Sequence, residues 1–185
     1  AEGDAAFYGP KIDIMVSALG KEHQLATEQL DFVMPERFGL TYVDKDGTEK
    51  PIVMIHKALL GSFERFLSVY LEHTEGKFPV WLAPEQIRVA CLNDDEKIIA
   101  KAKEVVEQAR EMGLRAELDD SNESVGKKIH SAEAMKVPYT LVIGGKEVES
   151  GKVTPRLRSD LKFESKESSI DDFLASVAEQ SKSRS

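Results

Sequence analysis

The stretch EGKFPVWLAPEQ, residues 75 to 86, limits the fold more than any other part of the chain. Pro79 and Pro84 exclude both a continuous helix and a central strand there, because proline lacks the backbone donor and clashes with the preceding turn. The hydrophobic pattern also changes across it. Upstream, KIDIMVSA, HQLATEQLDF and GLTYVDKDG alternate with period two, and DKDG supplies turn chemistry, so antiparallel strands are expected. Downstream, IRVACL, LRAEL and PYTLVIG read as strands separated by amphipathic helices over 94–112 and 124–135. KVTPRL is a further strand, and a last helix falls near 170–180. Alternation of strand and helix gives a mostly parallel sheet with helices on its faces. The expected fold class is therefore α/β in two unlike units: residues 1–80 built on an antiparallel sheet, and residues 81–180 built on a parallel or mixed one. A Ser/Lys-rich tail, 181–185, is expected to be disordered. With 185 residues, 41% of them hydrophobic, the chain is long enough for two small cores.

Charge narrows the function classes. The net charge of -8 argues against a protein that coats nucleic acid or a membrane surface. The charge is unevenly spread, however. Residues 94–120 hold five basic and nine acidic side chains, whereas 122–162 hold eight basic and five acidic. The basic set is Lys127, Lys128, Lys136, Lys146, Lys152, Arg156, Arg158 and Lys162, a candidate phosphate-contacting face. Glu147 within it would repel phosphate yet accept hydrogen bonds from a base edge, which favours base reading. The single cysteine, Cys91, excludes an internal disulfide framework, and neither a signal peptide nor a membrane-spanning run is evident, so a reducing cytoplasm is expected and no membrane partner. The opening AEGDAAFYGP reads as the approach to a strand, as though the chain were cut inside a domain.

In IHKALLGSFERF, residues 55–66, a helix over 56–73 sets His56 among Leu59, Leu60, Phe63, Leu67 and Tyr70, and Arg65 on the opposite side with Gly61 and Ser62. A glycine inside a helix costs about 1 kcal/mol relative to alanine. Gly61 therefore makes sense where something approaches the backbone closely, and that group would meet Arg65.

These residues resemble the threonyl-tRNA synthetase family of class II synthetases. The resemblance rests on FYGPKID, TEQLDF, PERFGLTYV, VMIHKALLGSFERF, FPVWLAPEQIRV, VPYTLVIGGKEVESGKV and the R-x-R of PRLR, in the family's order and over nearly the whole chain. It implies the later part of a catalytic domain, with GSFERF as the third class II motif, followed by an anticodon-binding domain. The implied reaction has threonine carboxylate attack the α-phosphate of ATP, with Mg2+, to give an adenylate, which the terminal ribose of threonine tRNA then attacks. Arg65 matches the motif arginine, whose fixed fork of donors suits phosphate oxygens. Lys11 matches a lysine near the reacting groups. Gln24, Thr27, Gln29 and Ser62 match substrate- and ATP-binding positions. His56 matches one of three Zn2+ ligands, an open metal site that takes threonine's amino and hydroxyl groups and so rejects valine. Asn122, Lys136, Glu147 and Arg156 match anticodon-reading positions. The family also implies a homodimer.

Departures accompany the matches. The family's EWQCGT stands here as EHQLAT, with His23, Leu25 and Ala26 in place of tryptophan, cysteine and glycine. Neither the first two class II motifs nor the remaining zinc ligands are in the sequence, so a fragment inactive by itself is expected. Two alternatives stay open: a tRNA-binding accessory module without ligase activity, and a related class II synthetase such as the prolyl enzyme. The change of pattern predicts that limited proteolysis removes residues 1–75 while residues 85–180 survive. Early cleavage within 95–160 would contradict the division.

Overall fold

The computed structural model describes residues 3, 5–162 and 165–184. They form two compact units, 1–75 and 76–185. Ala1, Glu2 and Asp4 of the opening segment and Ser185 of the tail lie outside the described residues.

In the first unit, β1 (Lys11–Ala18) and β2 (Lys21–Asp31) form a hairpin. Its turn is Leu19-Gly20, both at positive φ, the conformation that matches strand twist in a two-residue hairpin. A short helix α1 (Met34–Arg37) and a small hairpin of β3 (Thr41–Val43) and β4 (Glu49–Pro51) follow. Then β5 (Met54–Ala58) returns to pair antiparallel with β2, giving the order β1-β2-β5. Helix α2 (Phe63–Thr74) completes the unit. The expected helix over 56–73 is thus corrected: residues 56–58 belong to strand β5, residues 59–62 bend, and helix begins only at residue 63. Gly61 sits at φ +66, and Ser62 is the N-cap, its hydroxyl accepting from the Arg65 N–H at 3.2 Å. The Gly-Ser pair is therefore a helix start and not a weakness inside a helix.

The hairpin register shifts once, between Ile14 and Met15, so that Ile14 faces Ala26 while Met15 faces Gln24, leaving Leu25 as an extra residue. Alternation then assigns the two sheet faces. One carries Lys11, Asp13, Gln24, Thr27, Gln29, Asp31 and His56; the other carries Ile12, Ile14, Leu30 and Ile55, all exposed.

In the second unit, β6 (Ile87–Cys91), α3 (Glu96–Glu111), β7 (Ala116–Asp119), α4 (Val125–Ala134) and β8 (Tyr139–Ile143) follow the expected alternation. Next come α5 (Gly145–Ser150), β9 (Lys152–Val153), β10 (Arg156–Leu157), β11 (Ser168–Ser169) and α6 (Ile170–Ser183). The sheet order is β10-β8-β6-β7, parallel except for β10. One face of β6 and β8, formed by Ile87, Val89, Cys91, Tyr139, Leu141 and Ile143, joins the apolar stripe of α3 and Phe173, Leu174 and Val177 of α6 in a single core. Three expectations change here. GGKEVESGK is not a turn but carries α5; Pro155 lies in the gap that divides the expected KVTPRL strand into β9 and β10; and α6 continues to Ser183, through most of the stretch expected to be disordered.

Two of the eight cations counted toward a phosphate face belong to the interior. Lys128 is buried and donates to the Cys91 and Asp119 carbonyls, tying the ends of β6 and β7. Arg158 is also buried; it donates to the carbonyls of Phe78 and Lys136, at 2.7 and 2.8 Å, and pairs with Asp160. Each serves backbone carbonyls that would otherwise lose solvation without a partner. Arg158→Ala is expected to destabilise this unit by about 2–4 kcal/mol, whereas Lys152→Ala, at an exposed site, should be nearly neutral. Urea unfolding followed through Trp81, the single tryptophan, measures both.

Candidate functional site

The polar face of the first sheet is organised by one carboxylate. Asp13 pairs with the Lys11 amino group at 2.8 Å and accepts from the Gln24 amide at 2.6 Å and the Thr27 hydroxyl at 2.7 Å. Gln24 and Thr27 are three residues apart in β2 and would point to opposite faces of a regular strand. The extra residue at Leu25 puts them on the same face. The donors from Lys11 and Thr27, partly opposed by burial, hold the Asp13 carboxyl below its ordinary value of 3.8.

The bulge is held from the α2 side. A side chain at Gly61 would run into the Leu25 carbonyl, and Gly61 is at a positive φ that other residues avoid, so both demands select glycine. The close approach expected at Gly61 is thus made by β2 itself. Arg65, in the exposed first turn of α2, reaches the Gln24 carbonyl with Nη1 at 3.3 Å. Its guanidinium has donors beyond the one spent on that carbonyl.

At the other end of this face His56 lies on β5 opposite Gln29. Its Nε2 is 2.8 Å from Asp31, whose fully buried carboxylate also accepts from the Val33 and Met34 N–H groups. Burial disfavours the Asp31 charge, but the Met34 N–H and the His56 ring outweigh it and keep the carboxyl low. Tyr8 sits edge-on to the His56 ring at 6.0 Å and donates its hydroxyl to Gln29 at 3.1 Å. His56 is half exposed through its side chain, so it is not the buried core histidine that a helical wheel suggested. With Nε2 turned to a carboxylate, Nδ1 is the nitrogen available to a ligand, the usual arrangement of a metal-binding histidine. Among the described residues, however, no three His, Cys, Asp or Glu side chains gather in a metal-binding group.

The sheet therefore brings Lys11, Gln24, Thr27, Gln29 and His56 together on one face, and Arg65, from the helix that Ser62 caps, reaches the backbone of β2 at Gln24. Sequence analysis did not single out Asp13, Asp31 or Tyr8. The signal for Asp13 was its period-two spacing from Lys11.

The four residues expected to read an anticodon are not a single cluster. Exposed Asn122 follows β7, and Glu147 is in the first turn of α5, both beyond the carboxyl ends of the parallel strands, where ligands of open α/β sheets commonly bind. The Glu147 carboxylate accepts from the Gly144 N–H at 3.0 Å. Lys136 ends α4 at a left-handed φ of 58, just before β8, and its carbonyl is taken by Arg158. Arg156 is exposed and opposite Thr140, four positions along β8 from Gly144, about 13 Å at the rise of a strand. Of the remaining cations, Lys127 and Lys146 are paired with Glu123 and Glu167 at the surface.

Comparison with known proteins agrees with both halves. The family model for the tRNA synthetase class II core domain (G, H, P, S and T) matches residues 2–74, and that for the anticodon binding domain matches 86–180. The threonine–tRNA ligase of Citrifermentans bemidjiense is 49% identical over 165 residues, 89% of this chain and 26% of that protein. That of Listeria monocytogenes is 46% identical over 187 residues, 98% of this chain and 28% of that protein. The chain thus spans about a quarter of the length of these relatives. Among solved structures, the RNA binding domain of threonyl-tRNA synthetase from Cryptosporidium parvum superposes with a TM-score of 0.80 at 40% identity, over 96% of this chain and 44% of that one. A putative threonyl-tRNA synthetase from Aeropyrum pernix gives 0.74 at 32% identity, over 98% and 43%.

The depressed carboxyls give the first unit a defined acid sensitivity. A carboxyl whose folded value lies below its unfolded one adds stability that is complete above the unfolded value and is lost as pH falls through the folded one. For Asp13 and Asp31 the loss is expected below about pH 3.8. Side-chain carboxyl NMR titration should show both midpoints below those of exposed aspartates, and Asp13→Asn should remove part of the acid dependence of unfolding.

Proposed function

Because the chain belongs to the threonyl-tRNA synthetase family, we propose that it works within a threonine–tRNA ligase, forming threonyl-adenylate from threonine and ATP through its first unit and holding the anticodon of threonine tRNA through its second. The observation that carries the reading is the convergence of Lys11, Gln24, Thr27, Gln29 and His56 on one sheet face, with Arg65 bonded to the backbone of the same strand at Gln24. Chemistry between a carboxylate and a triphosphate requires cations where charge develops, and Lys11 and Arg65 supply them. Arg65 binds the nucleotide phosphates with Mg2+ as their counter-ion, and its contact with the Gln24 carbonyl aims it before substrate arrives. Ser62, as the cap of α2, fixes the turn from which Arg65 projects.

His56 fits a Zn2+ ligand, since Asp31 orients its ring and leaves Nδ1 for the metal. Bound Zn2+ supplies a Lewis acid with an open position for the amino and hydroxyl groups of threonine. His56 by itself does not make a site, so the remaining ligands belong to parts of the ligase outside this chain. The ligase is a homodimer acting in the cytoplasm; no helix among the described residues is long and apolar enough to cross a membrane.

In the second unit, a single-stranded anticodon presents base edges to Asn122 and Glu147 at the carboxyl ends of the strands, with Arg156 approaching from β10. Glu147 spends one carboxylate lone pair on Gly144 and keeps further acceptor capacity for base amino groups. Among the described residues the Arg156 guanidinium has no hydrogen-bond or ion-pair partner, so its donors are open. Lys136 and Lys152 contact the phosphate backbone in this reading.

Two measurements test the reading. Titration of the chain against threonine-anticodon hairpins should give losses of about 1–3 kcal/mol for Glu147→Ala or Arg156→Ala, with relaxed base preference. Lys152→Ala should weaken all hairpins alike and reduce the salt slope. Equal losses on every hairpin for all three variants would reduce the site to an electrostatic patch. In the full-length ligase bearing this sequence, Arg65→Ala should raise the barrier to adenylate formation by about 3 kcal/mol while leaving tRNA affinity intact. His56→Ala should lower zinc content and abolish discrimination against valine.

A further inference from the structure

We infer that Asp13 is the positioning residue of the adenylate-forming face: it tethers Lys11 and sets the donor and acceptor sense of Gln24 and Thr27. The inference rests on the ligase reading above and adds a residue to it. A carboxylate accepts and does not donate when ionised, so each group at hydrogen-bond distance from Asp13 must offer it a proton. Gln24 therefore turns its Nε2 inward at 2.6 Å, and the Thr27 hydroxyl proton is committed at 2.7 Å. The outward-facing atoms are then the Gln24 carbonyl oxygen and the Thr27 oxygen lone pairs, both acceptors. Gln29 is polarised the other way: its Oε1 accepts from Tyr8, which leaves its amide protons outward.

Lys11, held at 2.8 Å, supplies the positive charge next to those acceptors. The face consequently presents acceptors suited to N–H or O–H donors beside a cation suited to a carboxylate or phosphate. That pairing matches a free α-amino acid meeting a nucleotide. An amide or hydroxyl without a fixed partner would rotate and offer either sense. The Leu25 bulge supplies the geometry, since only the extra residue lets side chains three apart reach one carboxylate. Asp13 makes no claim on substrate itself, and its influence passes through three neighbours.

The test compares Asp13→Asn, Lys11→Met, the double variant and Arg65→Ala in the full-length ligase, by ATP–pyrophosphate exchange, with melting temperatures taken alongside. Asp13→Asn is expected to lower exchange by about 10- to 100-fold, as is typical for residues that orient a site's direct ligands, with only a small drop in melting temperature. In the Lys11→Met background the same change should have a smaller effect than in the wild type, because part of it acts through Lys11. In the unaltered full-length ligase, the Thr27 hydroxyl and Gln24 amide protons should exchange slowly with water by selectively labelled NMR, a reading that does not depend on any variant folding. Exchange activity within twofold of wild type, fully multiplicative losses in the double variant, or rapid proton exchange at both Thr27 and Gln24 would each overturn the role of Asp13. If Arg65→Ala also leaves exchange intact, the ligase reading fails with it; if Arg65→Ala is impaired and Asp13→Asn is not, only the positioning role is lost.

Discussion

The first unit depends on a single break in strand register. Opposite Ile14 and Met15, β2 carries one residue more than β1, and Asp13, Gln24, Thr27 and Arg65 are arranged around that extra residue. Without it, Gln24 and Thr27 would lie on opposite faces, and Asp13 would hold one of them at most. The break is stabilised by two groups from beyond β5: Gly61, which lets the Leu25 carbonyl come close, and Arg65, which donates to the Gln24 carbonyl. An irregular stretch of backbone has lost ladder hydrogen bonds, and here the side chain that replaces one of them is also the one proposed to meet phosphate. The fold and the chemistry are thus joined at Leu25.

The second unit uses charge differently. Its buried cations, Lys128 and Arg158, serve carbonyls where elements end and the chain turns. Such groups are strongly held because removing them strands several acceptors at once. The cations left at the surface are fewer than composition suggested, and Lys127 and Lys146 are paired with acidic neighbours. Recognition of a nucleic acid by this unit consequently rests on a few directed contacts more than on a field, in keeping with the net charge of -8.

What was legible in the sequence follows from how local its causes are. Hydrophobic periodicity placed β1, β6, α3, α4 and β8 within one or two residues, because each is an amphipathic or fully buried segment whose pattern repeats over its own length. The error at His56 came from extending a helical period through Gly61 and Ser62, where a positive φ and an N-cap mark the true start. KEVES was misjudged because its flanking glycines also suit a turn, and only tertiary packing decides for a six-residue helix. Asp13 stayed hidden for a different reason. Its importance lies in contacts to residues 11 and 14 positions away along β2, and nothing in the local pattern reports a register shift.

The ties that close the second unit span nearly its whole length. Gln86, buried beside β6, bonds Ser181 of α6 across 95 residues, Arg158 reaches back 80 residues to Phe78, and Tyr139 donates to Gln180. During synthesis from the N-terminus, β6, α3, β7, α4 and β8 emerge before the segment that seals their core. The nascent unit must therefore remain open at the α6 face until Phe173, Leu174 and Val177 have left the ribosome. A chain shortened by only its final helix would expose the interior of a sheet that is otherwise fully translated, and would be a natural target for chaperones and quality-control proteases.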